Sequence, residues 1–281
     1  MEQILHFSDT HDNQRAVEAL LSVATNWKNA SVAITGDVCS EVNKKASPTY
    51  DELPNPDVWL VPGNHDTPIT SRLAHLNSVR WQTPYLVERS NLIVVGLNSE
   101  DVDGVERQLR VLEGVQKGSE NKVIVVLHHK PFDSDLVKAL LSLAASARKV
   151  RSLVLLHGHE HPSKTFFAEW SEKRSHRIFI LTSNVYSANT WFSHYGLAGC
   201  ANLITIHDSG EVAIQTVYDP DETSTQDGFV ERSSWGPCKP GWHFGRPGTK
   251  GGPPTYRLQN GEDPLKVIDQ YWRWFVEYKS Q

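Results

Sequence analysis

Short apolar runs alternate with polar segments along the N-terminal half of the chain. The runs that are typical of buried strands lie at residues 4–7, 31–34, 58–61, 92–95, 123–127 and 153–156. Between some of these runs the apolar residues repeat at helical spacing, as at 16–27 and 135–148. Because predicted strands alternate with predicted helices, this part of the chain is expected to form an α/β fold.

The pattern changes after residue 161. Four predicted strands, at 164–170, 176–182, 201–207 and 211–218, follow one another without helical segments between them. The dipeptide Ser209-Gly210 is typical of a hairpin turn between the last two. These strands predict a second, largely antiparallel sheet that packs on the first.

The C-terminal part of the chain has a different composition. Residues 219–261 are rich in Gly, Pro, Ser, Thr and charged residues, which predicts a linker or a surface wrap without a core of its own. Asp263 as N-cap and Pro264 at the first helical position then predict a final helix, which is apolar over most of its circumference. We expect a domain at 1–218 and an appendage at 219–281 whose helix packs on that domain, the alternative being an oligomer contact.

Composition and charge narrow the class of protein. The formal net charge of the 281 residues is -5, so no field over the whole surface draws the protein toward nucleic acid or an anionic membrane. The three cysteines are far apart and lack CxxC spacing, which argues against a disulfide framework or structural zinc. A strand-like run begins at Gln3, so we expect no signal peptide before it. No apolar stretch approaches the roughly 20 residues of a membrane helix. We expect a cytoplasmic protein with no membrane partner.

Polar motifs stand where several predicted strands end. Five segments share this placement: Asp9-Thr10-His11, Gly36-Asp37, Gly63-Asn64-His65-Asp66, His128-His129 and Gly158-His159-Glu160-His161. Ligands of α/β sheets bind at the carboxyl ends of the strands, so segments that are far apart in sequence can meet in one site.

The residue types in these motifs indicate a metal site. Carboxylate, imidazole and amide oxygen suit Mn, Fe, Zn, Co or Ni, and cysteine is absent from the motifs. Residues two apart in an extended segment project to the same face, which makes Asp9 with His11 and His159 with His161 paired ligands. More candidates are present than one tetrahedral ion needs, which predicts two ions that share a carboxylate. The candidate ligands are Asp9, His11, Asp37, Asn64, His128, His159 and His161.

The order DTH, GD, GNHD, HH and GHEH resembles the five signatures of the calcineurin-like metallophosphoesterase superfamily over residues 1–218. The resemblance implies an α/β fold in which two mixed β-sheets pack as a sandwich flanked by helices. It also implies the roles of the site residues. The first metal would be held by Asp9, His11 and His161, the second by Asn64, His128 and His159, with Asp37 as the bridge and His65 as the general acid.

Either of the adjacent residues His128 and His129 could be the metal ligand. The apolar pattern does not decide which of them is the ligand, and the resemblance favours His128. His129 would then either orient a ligand or face the substrate. We interpret His6 and His157 as interior histidines and Cys39 as a small buried filler. His194, in the loop at 187–199, is a candidate for a substrate contact.

The sequence therefore predicts a hydrolase that cleaves a phosphate ester with water activated by two divalent or mixed-valence ions, with Mn, Fe and Zn favoured. A phosphodiesterase or phosphatase that acts on a small or nucleotide-type substrate fits best. The short segment between Asp37 and Asn64 leaves little room for a cap domain, so the cleft is expected to be open. The alternatives are a nuclease of the same superfamily, which needs a basic track for its nucleic-acid partner, and a catalytically silent binding scaffold.

Overall fold

The protein is described by a computed structural model that covers residues 1–40, 45–101, 104–118, 122–130, 152–159, 164–170, 176–182, 200–218, 241–243 and 255–257. The helix predicted at 135–148, the loop with His194 and the C-terminal helix lie outside these residues. The division of the chain at residue 218 stays a prediction.

Six strands form where the apolar runs predict them, and the first predicted helix is present. The helices are α1 Gln14–Asn26, α2 Ile69–Arg72 and α3 Val105–Gly118. The strands are β1 Glu2–Phe7, β2 Ser31–Thr35, β3 Val58–Val61, β4 Val79–Arg80, β5 Tyr85–Glu88, β6 Leu92–Gly96, β7 Val123–Leu127, β8 Ser152–His157, β9 Lys164–Trp170, β10 His176–Thr182, β11 Cys200–Ile206, β12 Val212–Tyr218, β13 Gly241–His243 and β14 Thr255–Arg257. Two short 3₁₀ helices lie at Pro48–Glu52 and Asn64–Asp66.

The strands form two mixed six-stranded sheets, as the resemblance implies. The first sheet has the order β12-β11-β1-β2-β3-β4 and the second has the order β5-β6-β7-β8-β10-β9. Strands β1 to β3 are parallel in the first sheet, and β6 to β8 are parallel in the second. The carboxyl ends of neighbouring parallel strands therefore lie side by side within each sheet.

The expectation of a separate, largely antiparallel second sheet is wrong. Strand β10 pairs in parallel with β8, and β11 pairs antiparallel with β1, so the two late strand pairs extend different sheets. Each pair covers an edge that would otherwise present unpaired backbone N–H and C=O groups. Local periodicity identifies a strand but carries no information about its partner, which is why the sequence pattern did not reveal this division.

Two apolar clusters hold the sheets in place. Alternate residues of β1 point to opposite faces, so that Leu5 and Phe7 pack with α1 residues such as Leu20, whereas Ile4 faces the second sheet. The cluster between the sheets contains Trp59 from the first sheet together with side chains of β6, β7 and β8. This arrangement is a sandwich whose first sheet is covered on its outer face by α1.

The described residues add two observations about the remaining chain. Within the Gly/Pro-rich segment, β13 and β14 pair antiparallel, and β14 lies against β9. The composition of that segment did not predict these strands. No helix among the described residues is both long enough and apolar enough to cross a membrane.

Candidate metal centre

The loops that follow β1, β2 and β3 are joined to one another by hydrogen bonds. The amide of Asp9 donates to the Gly36 carbonyl at 3.1 Å, and the amide of His11 donates to the Asp37 carbonyl at 2.8 Å. The Asp37 carboxylate accepts the amide of His65 at 2.9 Å. Asp37 therefore connects three of the five motifs through its backbone and its side chain.

The loops after β7 and β8 join the same site from the second sheet. The amide of Gly158 donates to the His129 carbonyl at 2.9 Å, and both oxygens of the Asp9 carboxylate accept the amide of His159, at 3.0 and 3.1 Å. The predicted convergence of the described parts of the five motifs is confirmed. Glu160 and His161 lie outside the described residues.

Unusual backbone conformations are concentrated in these loops. Asp9, His11, Asp37 and His159 have φ angles of 56°, 49°, 53° and 68°, a region that non-glycine residues seldom adopt. Gly36 has φ 86°, and a Cβ atom there would lie 2.4 Å from Nδ1 of His129. Such conformations cost free energy and persist where the surroundings enforce them, which is typical of binding sites.

Four potential ligand atoms, one each from Asp37, Asn64, His129 and His159, form a chain of close contacts. Asn64 Oδ1 lies 3.2 Å from Nε2 of His129 and 3.0 Å from Nδ1 of His159, and His129 Nε2 lies 3.4 Å from Asp37 Oδ2. Metal–donor bonds of about 2.0–2.2 Å place two donors on one ion roughly 2.9–3.5 Å apart. These three separations match this spacing, so the residues have donor atoms that could hold a divalent ion.

The side chain that enters this group is His129 and not His128. His129 is fully buried, and Asp37, His129 and His159 have donor atoms within 4.8 Å of one another. His128 is in neither group of three potential ligands found among the described residues, and its Nδ1 lies 2.6 Å from the carbonyl of Lys130. The geometry thus favours the other member of the histidine pair for the ligand role that the resemblance gave to His128.

The hydrogen bonds of His129 determine which ring nitrogen faces the site. Nδ1 lies 2.6 Å from the carbonyl oxygen of Thr35, which can only accept, so Nδ1 carries a hydrogen. In the neutral ring Nε2 then directs a lone pair toward the oxygens of Asp37 and Asn64. This convergence of lone pairs is favourable only with a proton or a cation between them.

The pKa values of the buried residues also reflect the close approach of carboxylates and imidazole. Burial alone would lower the pKa of His129, but the carboxylates of Asp37 and Asp9 outweigh it and raise the pKa to about 9. Burial opposes ionisation of Asp37 too, yet the His129 ring holds its pKa at about 2. Burial raises the pKa of Asp9 to about 7, with a further rise from Asp37 that His129 opposes. Buried carboxylates and imidazoles in this arrangement suit a site that receives positive charge.

A second group of potential ligands shares Asp37 with the first and contains His11 and His65. Nε2 of His11 and Nε2 of His65 are each 3.9 Å from Asp37 Oδ2, and the two rings meet edge to face with centroids 4.9 Å apart. Because Asp37 belongs to both groups, its carboxylate has the position expected of a bridge. His65, assigned to proton donation, lies as close to this carboxylate as His11, assigned to ligation.

Two contributors to the site were missed in the sequence. Asp66 is fully buried, and its carboxylate accepts the amides of Cys39 and Gly63, each at 2.8 Å. Its place at the end of the GNHD motif was the available signal. The second contributor is the Thr35 carbonyl, which contacts His129. Because it is a main-chain group, the residue type gives no signal for this role. The interior interpretation of His6 and Cys39 agrees with their complete burial.

Similar folds occur among solved structures. The phosphoesterase YfcE from E. coli is 14% identical, with 81% of this chain and 96% of that chain covered and a TM-score of 0.42. The 5'-nucleotidase from Candida albicans is 11% identical, with 78% of this chain and 51% of that chain covered and a TM-score of 0.50. No curated protein sequence matches the chain significantly. The family model of the calcineurin-like phosphoesterases matches residues 3–163, more than half of the chain, and the protein therefore belongs to this family of phosphoric ester hydrolases.

Proposed function

We propose that this protein uses two metal ions to hydrolyse the phosphate ester of a small or nucleotide-type substrate. The observation that supports the proposal most directly is the spacing of 3.0 to 3.4 Å among donor atoms of Asp37, Asn64, His129 and His159. This is the separation of ligands on one ion. A silent scaffold would have no need for four potential ligands in close contact, two of which, Asp37 and His129, are buried.

The proposed ligand set follows the geometry in replacing His128 by His129 and otherwise follows the resemblance. One ion is held by Asn64, His129, His159 and Asp37. The other is held by Asp9, His11, His161 and the same Asp37 carboxylate. When bound, the two cations supply a lowered pKa for water and Lewis acidity toward the phosphoryl oxygens. Nitrogen and oxygen donors without thiolate favour Mn, Fe or Zn.

The exposure of His65 supports its proposed role as proton donor. Its ring is partly exposed, with 26% of the side chain accessible, while the neighbouring Asp37 side chain is 3% accessible. The ring can therefore contact a substrate that rests on the site. We assign it the transfer of a proton to the oxygen of the departing alcohol, a role worth roughly 10²- to 10⁴-fold in rate.

The test is removal and return of metal. The full-length protein is freed of metal with a chelator, verified by elemental analysis and reconstituted with Mn²⁺, Fe²⁺ or Zn²⁺. Hydrolysis of mono- and bis-(p-nitrophenyl) phosphate, linear and cyclic nucleotides and single-stranded DNA is then compared. We expect no activity without metal and two ions per chain at full activity. Full activity of the verified metal-free protein would refute the proposal, and activity confined to DNA would favour the nuclease.

A further inference from the structure

Arg72, at the end of α2, directs its charge at backbone carbonyls beside the site. Its Nη1 donates to the carbonyl oxygen of His65 and lies 3.4 Å from the carbonyl oxygen of Ser40. Arg89 and Arg107, by contrast, pair with carboxylates. Within the described part of the chain, no carboxylate lies within ion-pair distance of the Arg72 guanidinium.

The two carbonyls belong to the two loops that carry the centre of the site. Ser40 follows Asp37 in the loop after β2, and His65 is in the loop after β3. Asp66 joins the same two loops by accepting the amides of Cys39 and Gly63. A guanidinium that binds carbonyls and a carboxylate that binds amides thus hold the two loops together.

We propose that Arg72 is a positioning residue for His65. The inference rests on the proposed function, in which His65 is the proton donor. The amide of His65 is held by the Asp37 carboxylate and its carbonyl by the Arg72 guanidinium, so both polar groups of its main chain are held. Hydrogen bonds from a charged donor are stronger than neutral ones. This places the imidazole relative to the bridging carboxylate without any contact between Arg72 and the ring.

A misplaced proton donor affects some substrates more than others. A displacement of about 1 Å can lower a rate by about 100-fold. Nitrophenolate departs without a proton, whereas an alkoxide needs one. Loss of Arg72 should therefore lower turnover of alkyl esters by about 10- to 100-fold and of nitrophenyl esters much less.

The experiment compares Arg72→Met, Arg72→Lys and His65→Asn in the metal-loaded, full-length protein. Methionine removes the donors but keeps an unbranched chain, and lysine restores the charge with one compact donor group. We expect unchanged metal content, the alkyl-ester deficit in Arg72→Met and partial recovery in Arg72→Lys. Adding Arg72→Met to His65→Asn should have no further effect on kcat. Arg110→Met, at an exposed position of α3, is the matched control and should behave as wild type.

Two results would overturn the inference. One is an equal loss on both ester types that persists in the His65→Asn background, which would give Arg72 a general structural role. The other is unchanged hydrogen–deuterium exchange at the amides of 63–66 in Arg72→Met, where we expect faster exchange because the loop loses a tether. The exchange measurement needs no activity. An inactive metal-loaded wild type would thus refute the proposed function separately.

Discussion

Replacing His129 with asparagine should remove one of the two metals, whereas the same replacement at His128 should not. Asparagine can still donate to the Thr35 carbonyl, which His129 Nδ1 approaches to 2.6 Å, but it has no atom at the position of Nε2. Nε2 is the atom that lies 3.2 Å from Asn64 Oδ1 and 3.4 Å from Asp37 Oδ2. The variant therefore deletes a donor and preserves the local hydrogen bond.

The expected loss of metal affinity is estimated from the role of the deleted nitrogen. Removing a group that only orients a ligand typically lowers metal affinity by 10- to 100-fold. Loss of the ligand itself should cost at least about 100-fold, which corresponds to about 2.7 kcal/mol. His128 is also nearly buried, so both variants lose a similar amount of packing. Their difference in metal affinity then reports ligation and not stability.

The assay is calorimetric titration of the metal-free proteins with Mn²⁺, together with elemental analysis after dialysis and thermal denaturation of each variant. We expect two ions per chain for wild type and His128→Asn, and one for His129→Asn. Two ions bound with wild-type affinity by His129→Asn, with a loss in His128→Asn, would refute the reasoning and restore the ligand that the resemblance implies.

Two further predictions concern the buried surroundings of the site. Burial lowers the pKa of His6 from 6.5 to about 3, so below pH 6.5 the unfolded chain binds a proton that the folded chain does not. Relative to His6→Gln, wild type should therefore lose about 1.4 kcal/mol of unfolding free energy per unit of falling pH between 6.5 and about 4. Parallel profiles in urea denaturation would contradict this. A Cβ atom at Gly158 would lie 1.7 Å from Ser8 Oγ and 2.6 Å from Asp9 Oδ2, so Gly158→Ala should lower metal content in elemental analysis. Full metal content in Gly158→Ala would show that the loop can move to accommodate the methyl group. Gly114→Ala, where nothing lies within 4 Å of the added Cβ atom, should instead raise the melting temperature.

The sequence by itself determined six of the strands and the family, and it predicted the candidate metal ligands. Apolar runs at 4–7, 58–61 and 123–127 are local signals, and each became a buried strand. Polar motifs at the ends of parallel strands in one sheet lie near the same edge. The five motifs follow strands of two sheets, so only the packing of the sheets brings all of them together. The expectation of Mn, Fe or Zn rested on residue type alone. The strands and the chemistry of the residue types were predicted without knowing the partner of any strand.

The tertiary structure decided which partner each strand has and which histidine enters the site. Strand β7 is apolar on both faces, so its sequence has no polar alternation to reveal which face meets the other sheet. In the fold, Val123, Val125 and Leu127 face the space between the sheets. His129 continues that series, and side chains alternate along an extended chain, so His129 reaches Asp37 while His128 turns away. Contacts such as those of Arg72 with Ser40 and His65 likewise depend on loops that meet only after both sheets have packed.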